Sequence, residues 1–501
     1  MRILRVLSLG LAMSLTSVSS ASPAAPSSSG LFAGLLRREH VSATIHQRAV
    51  GLAAVRRTPM PRPRNATIAA GTVEGVQQIS RDALPPIGGA EPDTEQEPMI
   101  AVDPNNPEVV VAVFQEGRYP DIAAVDDGYA TSHDGGRTWI HGDLPNLTQA
   151  VGGPYERASD PVVAFGPDGA VYATTIAMNQ VTDFRTAVTV QRSDDGGLTF
   201  GDPVIVREDA NPLAFNDKEW IAVDTYPSSP HFGRIYVVWD RIFGSVQPPV
   251  ISFSDDRGAT WSRVRRLSTV ANALGTYPLV QPNGDLTVVY LDVFRFSFVA
   301  QTSHDGGATF GPLVVIDDCM ATDPPDQRDG GCIPGATVDP VTGFLYAGWT
   351  DARFRADGLD DAVVSRSTDG GVHWSAPIVV NPDVSGSQLE HMTTALGAYG
   401  HTVHVAYFTR WKTGTSTFGR YVRERYSVSN DDGATFGGEL LIGPRIDLKW
   451  SADAGGFHFL GDYMGVAASP TGEAHPVWCR SSEPPGTGAY HQTTWTATVL
   501  S

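Results

Sequence analysis

Short apolar runs occur in pairs along this chain, and a tight turn separates the two members of each pair. One example is Pro161–Phe165 followed by Ala170–Thr174, with Pro167-Asp-Gly169 between them. Runs of four to eight residues that are rich in valine and aromatic residues and bounded by turn signals predict antiparallel β-strands. Seven such pairs can be counted, and the last is Tyr463–Ala467 with Ala474–Trp478. The pattern predicts an all-β protein.

A second pattern, of the form Ser-x-Asp-x-Gly-x-Thr-aromatic, follows each of the first six pairs. Its first copy is Ser132-His-Asp-Gly-Gly-Arg-Thr-Trp139. A short Asp beside small or glycine positions suits a hairpin turn, in which the carboxylate accepts bonds from backbone N–H groups. Because the copies recur roughly every 60 residues, they mark a repeat architecture. We predict a structural role for the six anchoring acids, Asp134, Asp195, Asp256, Asp305, Asp369 and Asp431.

Each pair, with one strand leading into the turn and one leaving it, makes a unit of four strands, which is the blade of a β-propeller. The seventh pair is followed by only one more strand, Thr493–Leu500. Gly75–Ser80, which precedes the first pair, could supply the missing outer strand and close the ring. We therefore predict seven blades closed by an N-terminal strand, with six blades as the alternative if the last pair folds into a neighbour.

The N-terminal region differs from the rest of the chain. Residues 1–22 resemble a cleaved secretory signal, since two arginines precede an apolar run and small residues follow it. Residues 23–70 are rich in Ala, Ser, Pro and Arg without strand alternation, which indicates a disordered linker or pro-segment. We expect residues 71–501 to form the propeller of a secreted monomer without a membrane span. A formal net charge of -19 argues against nucleic acid or an acidic membrane as a partner.

The six turns on an all-β wheel resemble the sialidase-like superfamily, whose repeats are called BNR or Asp-box repeats. The resemblance covers the chain from about residue 75 to its end. It implies a β-propeller and a carbohydrate-related role, although the group also includes non-enzymatic binding proteins. By the family's pattern, Asp121 in Phe114-Gln-Glu-Gly-Arg-Tyr-Pro-Asp121 is the candidate acid/base. Tyr463 is the candidate phenol nucleophile, and Glu219 or Glu97 is the glutamate that would activate it.

One segment departs from the family. Where sialidases have Arg-Ile-Pro, with an arginine that binds the substrate carboxylate, this chain has Glu97-Pro98-Met99-Ile100. A carboxylate at that place repels sialic acid, so the resemblance supports the fold more strongly than sialidase activity.

Ligands of a propeller bind at one mouth of the central channel, where loops enter the innermost strands and join the second strand to the third. Polar residues at these positions are candidates for substrate binding, because arginine forks bind carboxylates and paired acids serve glycoside hydrolysis. A competing interpretation is that motifs such as Trp239-Asp240-Arg241 are internal Asp–Arg pairs that hold a loop. The candidates are Arg118, Arg241, Arg353, Arg410, Asp217, Lys218, His391 and Asp462.

Three functions remain open from the sequence. The first is an exo-acting glycoside hydrolase on extracellular glycans, the second is a propeller that binds a glycan or protein without catalysis, and the third is a polysaccharide lyase.

The cysteines and one acidic loop complete the predictions. Cys319 and Cys332 bracket a Pro-rich acidic stretch and are predicted to form a disulfide, which leaves Cys479 unpaired and buried. No metal site or cofactor is predicted from a motif, although acids of the 317–329 loop could hold a structural calcium ion.

Overall fold

A computed structural model describes residues 71–81, 83–85, 87–322, 324–486 and 488–500. The predicted signal segment and linker lie outside these residues. The described chain is built from β-strands, with three short 3-10 helices at Gln149–Val151, Ala352–Phe354 and Leu448–Trp450. None of the described elements is an apolar helix of the length needed to cross a bilayer.

The strands of the first half begin with one N-terminal strand and continue in groups of four. They are β1 Thr72–Gln78; β2 Gln96–Val102, β3 Val110–Arg118, β4 Ala124–Ser132 and β5 Ile140–Asp143; β6 Arg157–Phe165, β7 Val171–Met178, β8 Thr186–Ser193 and β9 Val204–Asp209; β10 Ala214–Val223, β11 Ile235–Phe243, β12 Pro249–Ser254 and β13 Arg265–Arg266; and β14 Ala273–Val280, β15 Leu286–Asp292, β16 Ser297–Ser303 and β17 Val314–Asp318.

The second half repeats the grouping, with three short strands between the groups. They are β18 Gln327–Arg328; β19 Gly335–Val338, β20 Leu345–Asp351, β21 Asp361–Ser367 and β22 Ile378–Val379; β23 Leu389–Tyr399, β24 Thr402–Lys412, β25 Phe418–Ser429 and β26 Gly437–Asp447; β27 Ala452–Ala454 and β28 Phe457–Phe459; and β29 Gly465–Ala468, β30 Glu473–Ser481 and β31 Gln492–Leu500.

Antiparallel pairing joins these strands into seven four-stranded groups, which we call the first to seventh blades. The first and second blades are linked by a single pair, Ala124 with Ala158. The innermost strands contact one another in turn, from β2 through β6, β10, β14, β19, β23 and β29 back to β2. The fold is therefore a β-propeller of four-stranded blades.

The ring is closed by the N-terminal strand, as predicted. β1 pairs antiparallel with β31, so that Thr72 lies opposite Leu500 and Gln78 opposite Trp495. The seventh blade thus takes its outer strand from the start of the chain, and the unpaired edge that β31 would otherwise present is covered.

The Asp-box turns make the local bonds expected from their sequence. In the first copy, Asp134 Oδ1 accepts from Ser132 Oγ at 2.8 Å and from the amide of Thr138 at 2.8 Å, and Oδ2 accepts from Thr138 Oγ1 at 2.6 Å. These bonds lower the pKa of Asp134 to about 2. The fifth copy has His373 at the threonine position, and His373 Nδ1 contacts Asp369 Oδ2 at 2.6 Å. The motif therefore forms a turn in each copy, and in the fifth copy His373 takes the place of threonine.

Apolar side chains of neighbouring blades fill the space between them. Trp239, Trp349 and Trp478 lie near the ends of the second strands of the third, fifth and seventh blades and are fully buried. The predicted disulfide Cys319–Cys332 is present, with a Cα–Cα distance of 5.8 Å, and Cys479 is free and buried, as expected.

Glu424 is a charged residue type inside this apolar packing. It lies on β25 between Phe408 of β24 and Ile442 of β26. Neither of its carboxylate oxygens has a hydrogen-bond partner within the described part of the chain. Burial raises the pKa of Glu424 well above its ordinary value, so the folded protein holds the carboxyl group in its neutral form.

We expect Glu424→Gln to stabilise the protein, and more so at pH 8 than at pH 5. The unfolded chain releases the Glu424 proton above an ordinary pKa of 4.5, whereas the folded chain retains it, so the wild-type free energy of unfolding falls as pH rises. The slope is at most about 1.4 kcal/mol per pH unit. Urea denaturation of both proteins at the two pH values measures the difference. The exposed Glu483→Gln is the control, and an effect of Glu424→Gln that is the same at both pH values would contradict a neutral buried carboxyl.

Candidate active site

The site begins with an irregularity that recurs in the innermost strands. The pairing of β2, β6 and β10 with their neighbours shifts register near the start of each strand. At each shift a residue adopts left-handed backbone angles, with φ of +50° at Glu97, +59° at Asp160 and +51° at Lys218. A bulge of this kind re-aims the side chain. These three charged side chains, from three different blades, therefore meet at the centre of the ring.

Lys218 is the centre of this group. Its Nζ lies 2.9 Å from Asp462, 3.2 Å from Glu97 and 3.6 Å from Asp160, and all four side chains are at most 1% exposed. An ammonium buried this deeply is stable only when opposite charges surround it. Lys218, which the sequence suggested as a substrate-binding residue, is thus ion-paired to acids of the first blade, the second blade and the segment before the seventh.

Neutral side chains complete the bonding of the acids. Gln115 Nε2 donates to Glu97 and, at 3.1 Å, to Ser159 Oγ. Ser159 Oγ in turn donates to Asp160 Oδ1 at 2.7 Å. The amide of Asp462 donates to Glu97 Oε1 at 3.1 Å. The first two blades and the segment before the seventh are thus joined by one continuous hydrogen-bond network.

Arg328 is a member of the cluster that the sequence analysis missed. From β18 its Nε and Nη2 donate to the two oxygens of Asp462 at 3.0 and 2.6 Å. Its guanidinium also lies 4.6 Å from the centre of the Phe459 ring, and Arg118 lies 5.1 Å from that ring. The residue belongs to a polar loop without strand alternation, so no local signal in the sequence identified it.

Tyr463, the predicted phenol, borders the same cluster. Lys218 Nζ is 4.9 Å from the centre of its ring, and Trp220 packs edge-on at 5.2 Å. Its hydroxyl donates to the backbone carbonyl of Pro161 at 3.4 Å. The structure therefore brings Tyr463, Glu97 and Asp462 together around Lys218.

Asp121, the predicted acid/base, lies in a more exposed layer. It belongs to the loop between β3 and β4, its side chain is 47% exposed, and it pairs with Arg157 at 2.7 Å. Arg157 also stacks over Tyr119 at 3.8 Å. Asp121 is thus at the rim of the mouth, whereas Glu97 and Tyr463 lie at its floor.

Asp217 and Glu219 flank Lys218 on β10, and both are buried. Asp217 lies opposite Asp240 on β11. Burial, and next the charge of Asp217, raise the pKa of Asp240 well above its ordinary value. Asp240 Oδ2 accepts a bond from the amide of Gly275 at 2.8 Å. These acids form a second buried layer beside the lysine.

Three of the predicted substrate-binding arginines, Arg241, Arg353 and Arg410, are bound to acids of the protein. Arg241 donates to both oxygens of Asp209 at 2.9 and 2.8 Å, so its partner is in the preceding blade and is not the adjacent Asp240. Arg353 pairs with Asp351 and Asp317, and Arg410 pairs with Asp326. Arg118 Nη1 donates to Gln115 Oε1 at 3.4 Å. Arg118 is thus the predicted arginine that joins the central network.

His391 is buried away from solvent. Its Nε2 is 3.1 Å from Asp383, its Nδ1 is 3.0 Å from Thr409 Oγ1, and burial lowers its pKa to about 4. The ring is neutral at pH 7 and is placed as a packed, hydrogen-bonded histidine.

In the described part of the chain, no group of three or more His, Cys, Asp and Glu side chains is arranged to hold a metal ion. Three acids of the 317–329 loop have protein partners: Asp317 binds Arg353, Asp318 binds Ser297, and Asp329 binds Thr393. The suggestion of a calcium ion in this loop gains no support from the structure.

Among known proteins, the chain is similar only to solved structures, and at low sequence identity. No family model and no curated protein matches the chain. A Hadza microbial sialidase is 16% identical to this chain, with a TM-score of 0.43. The match covers 66% of this chain and 65% of the sialidase. The NanB sialidase of Streptococcus pneumoniae is 10% identical, and the match covers 86% of this chain and 99% of NanB at a TM-score of 0.44. An α-L-arabinofuranosidase of Fusarium graminearum is 14% identical, and the match covers 85% of this chain and 98% of that enzyme at a TM-score of 0.43. At these identities the similarity concerns the fold alone.

We expect Lys218→Met to destabilise the protein by about 3–5 kcal/mol at pH 8, because it leaves three buried carboxylates without their shared cation. The loss should be smaller at pH 5, where the acids can take up protons. Urea denaturation at both pH values measures it, with the exposed Lys449→Met as the matched control. A loss below about 1 kcal/mol at pH 8 would show that the cluster does not depend on Lys218.

Proposed function

We propose that the chain is a secreted, carbohydrate-active propeller, and that it acts as a glycoside hydrolase at the ends of extracellular glycan chains. The observation that carries this proposal is the convergence of Glu97, Asp160, Asp462 and Tyr463 on Lys218 at one mouth of the ring. Glu97 and Asp160 share the ammonium of Lys218 at 3.2 and 3.6 Å, so two acids lie beside the residue that contacts the Tyr463 ring.

In this proposal the phenol oxygen of Tyr463 attacks the anomeric carbon as the glycosidic bond breaks, and Asp121 protonates the departing oxygen. Water then cleaves the glycosyl–tyrosine bond and releases the sugar. The phenol of Tyr463 is a weak nucleophile unless a base takes its proton. Glu97, which shares Lys218 with Tyr463, is better placed for this than Glu219. Asp121 at the exposed rim is the general acid for the departing oxygen, a role that requires it to carry a proton and to leave its ion pair with Arg157.

A second candidate function is glycan or protein binding without catalysis. It is favoured because Lys218 is already ion-paired with Asp462 and Glu97. All three residues are at most 2% exposed to solvent. In that case the cluster is a structural hub and ligands contact the rim alone. The two functions differ in whether the phenol oxygen of Tyr463 matters.

We expect the purified protein to release a sugar from at least one member of a panel of oligosaccharides ending in sialic acid, arabinofuranose, uronic acid or neutral hexoses. Tyr463→Phe keeps the ring and its packing but removes the reacting oxygen, so kcat should fall at least about 100-fold. Tyr129→Phe is the matched control, because Tyr129 likewise donates to a backbone carbonyl, that of Leu198 at 3.0 Å, and its activity should be unchanged.

Two outcomes would count against the hydrolase. Full activity in Tyr463→Phe would remove the phenol from the mechanism. No released sugar across the panel, together with retention of the protein on a glycan array, would establish the binding function instead.

A further inference from the structure

Two long connections lie over the mouth of the propeller. One precedes β19 and contains β18, and the other precedes β29 and contains β27 and β28. Both enter innermost strands, so both lie on the face where ligands bind. β18 pairs in parallel with β28, with Gln327 opposite His458 and Arg328 opposite Phe459. Residues 324–332 with β27 and β28, hereafter the cover, are therefore one connected piece.

The cover is attached to the central cluster at its inner side. Arg328 holds Asp462 through the two bonds already described, and Asp462 in turn contacts Lys218. Gly330 packs so closely that a Cβ atom at that position would lie 1.8 Å from the carbonyl oxygen of Asp462. At its outer side, both oxygens of Asp326 accept bonds from Arg410 at 2.7 and 2.8 Å. The disulfide Cys319–Cys332 closes the loop behind these contacts.

Exposure rises along this line from the centre outward. The side chain of Lys218 is 0% exposed, that of Arg328 is 6% exposed and that of Asp326 is 50% exposed. The cover thus lies between the cluster and solvent. A sugar could not reach Lys218 or Glu97 unless the cover moved.

We propose that the cover is a gate to the central site and that the ion pair between Arg328 and Asp462 is its latch. An ion pair suits a latch that opens reversibly. When it opens, water hydrates both charges, and this hydration offsets part of the energy lost when the pair separates. The disulfide keeps the loop compact when the latch is released. The proposal takes the mouth to be the ligand site of the proposed function, but its test needs no sugar.

Lysine acylation tests the gate, because the chain has only three lysines, Lys218, Lys412 and Lys449. An amine-acylating reagent such as an acetyl N-hydroxysuccinimide ester is applied at pH 8.5, and peptide mass spectrometry follows each site. We expect Lys218 in the wild type to react at least tenfold more slowly than the exposed Lys449. Arg328→Gln should accelerate Lys218 at least tenfold and leave Lys449 unchanged.

The electrostatic effect of the substitution opposes this acceleration. Loss of Arg328 leaves Lys218 beside the same acids with less competing positive charge, which favours the unreactive ammonium form. A faster reaction therefore reports access of the reagent. Arg241→Gln is the matched control, since Arg241 of the third blade makes the same two-bond contact with an acid, Asp209 of the second blade.

Each outcome decides the proposal. Wild-type Lys218 that reacts as fast as Lys449, an unchanged Lys218 rate in Arg328→Gln, or an equal acceleration in Arg241→Gln would each overturn it. If near-UV circular dichroism shows that Arg328→Gln is unfolded, Arg410→Gln, which loosens the outer attachment alone, decides in its place by the same criterion. A protein that hydrolyses no glycan would still give a clear result.

Discussion

The centre of this propeller depends on one buried ammonium group. Lys218, from the third blade, contacts Glu97 of the first blade, Asp160 of the second and Asp462 ahead of the seventh. The first and seventh blades meet where β2 contacts β29, and β1 completes the seventh blade by pairing with β31. Ring closure and charge neutralisation are thus coupled: an open ring would separate Lys218 from Asp462, and an uncharged residue 218 would leave Glu97, Asp160 and Asp462 without their shared cation.

The same group requires local backbone strain. A residue with a side chain pays about 1–2 kcal/mol to adopt left-handed angles, and Glu97, Asp160 and Lys218 all do so. At the corresponding shift of the fourth blade the left-handed residue is Gly275, which adopts these angles without that cost. Strained residues that persist are held by their surroundings and cluster at functional sites. Backbone strain at these three charged residues therefore lowers the stability of the fold, and the same strain arranges the side chains at its centre.

Features encoded by neighbouring residues could be predicted from the sequence. The Asp-box turns, the paired strands and the disulfide Cys319–Cys332 each depend on a short stretch of chain, and the closing strand followed from a comparison of six turns with seven strand pairs. Arg328 could not be predicted, because its partner Asp462 is 134 residues away and its loop carries no periodic pattern. Arg241 was a candidate for substrate binding because of its position at the mouth, and nothing local in the sequence indicated that it pairs with Asp209 of another blade. The sequence thus predicts which residue types lie at the mouth, but the tertiary structure determines which of them pair.

The pairing also bears on which sugars could bind. Glu97 stands where a carboxylate-binding arginine was expected, and the positive charge of the centre comes instead from Lys218 and Arg328, both of which hold Asp462. An anionic sugar would have to displace a carboxylate that is tethered to the same chain and so has a high effective concentration. A neutral sugar would face no such competition and could bind through hydrogen bonds to the acids alone. Under the proposed function, the geometry of the centre therefore favours a neutral glycan over a sialic acid, even though the turns of the blades resemble the repeats of the sialidase-like superfamily.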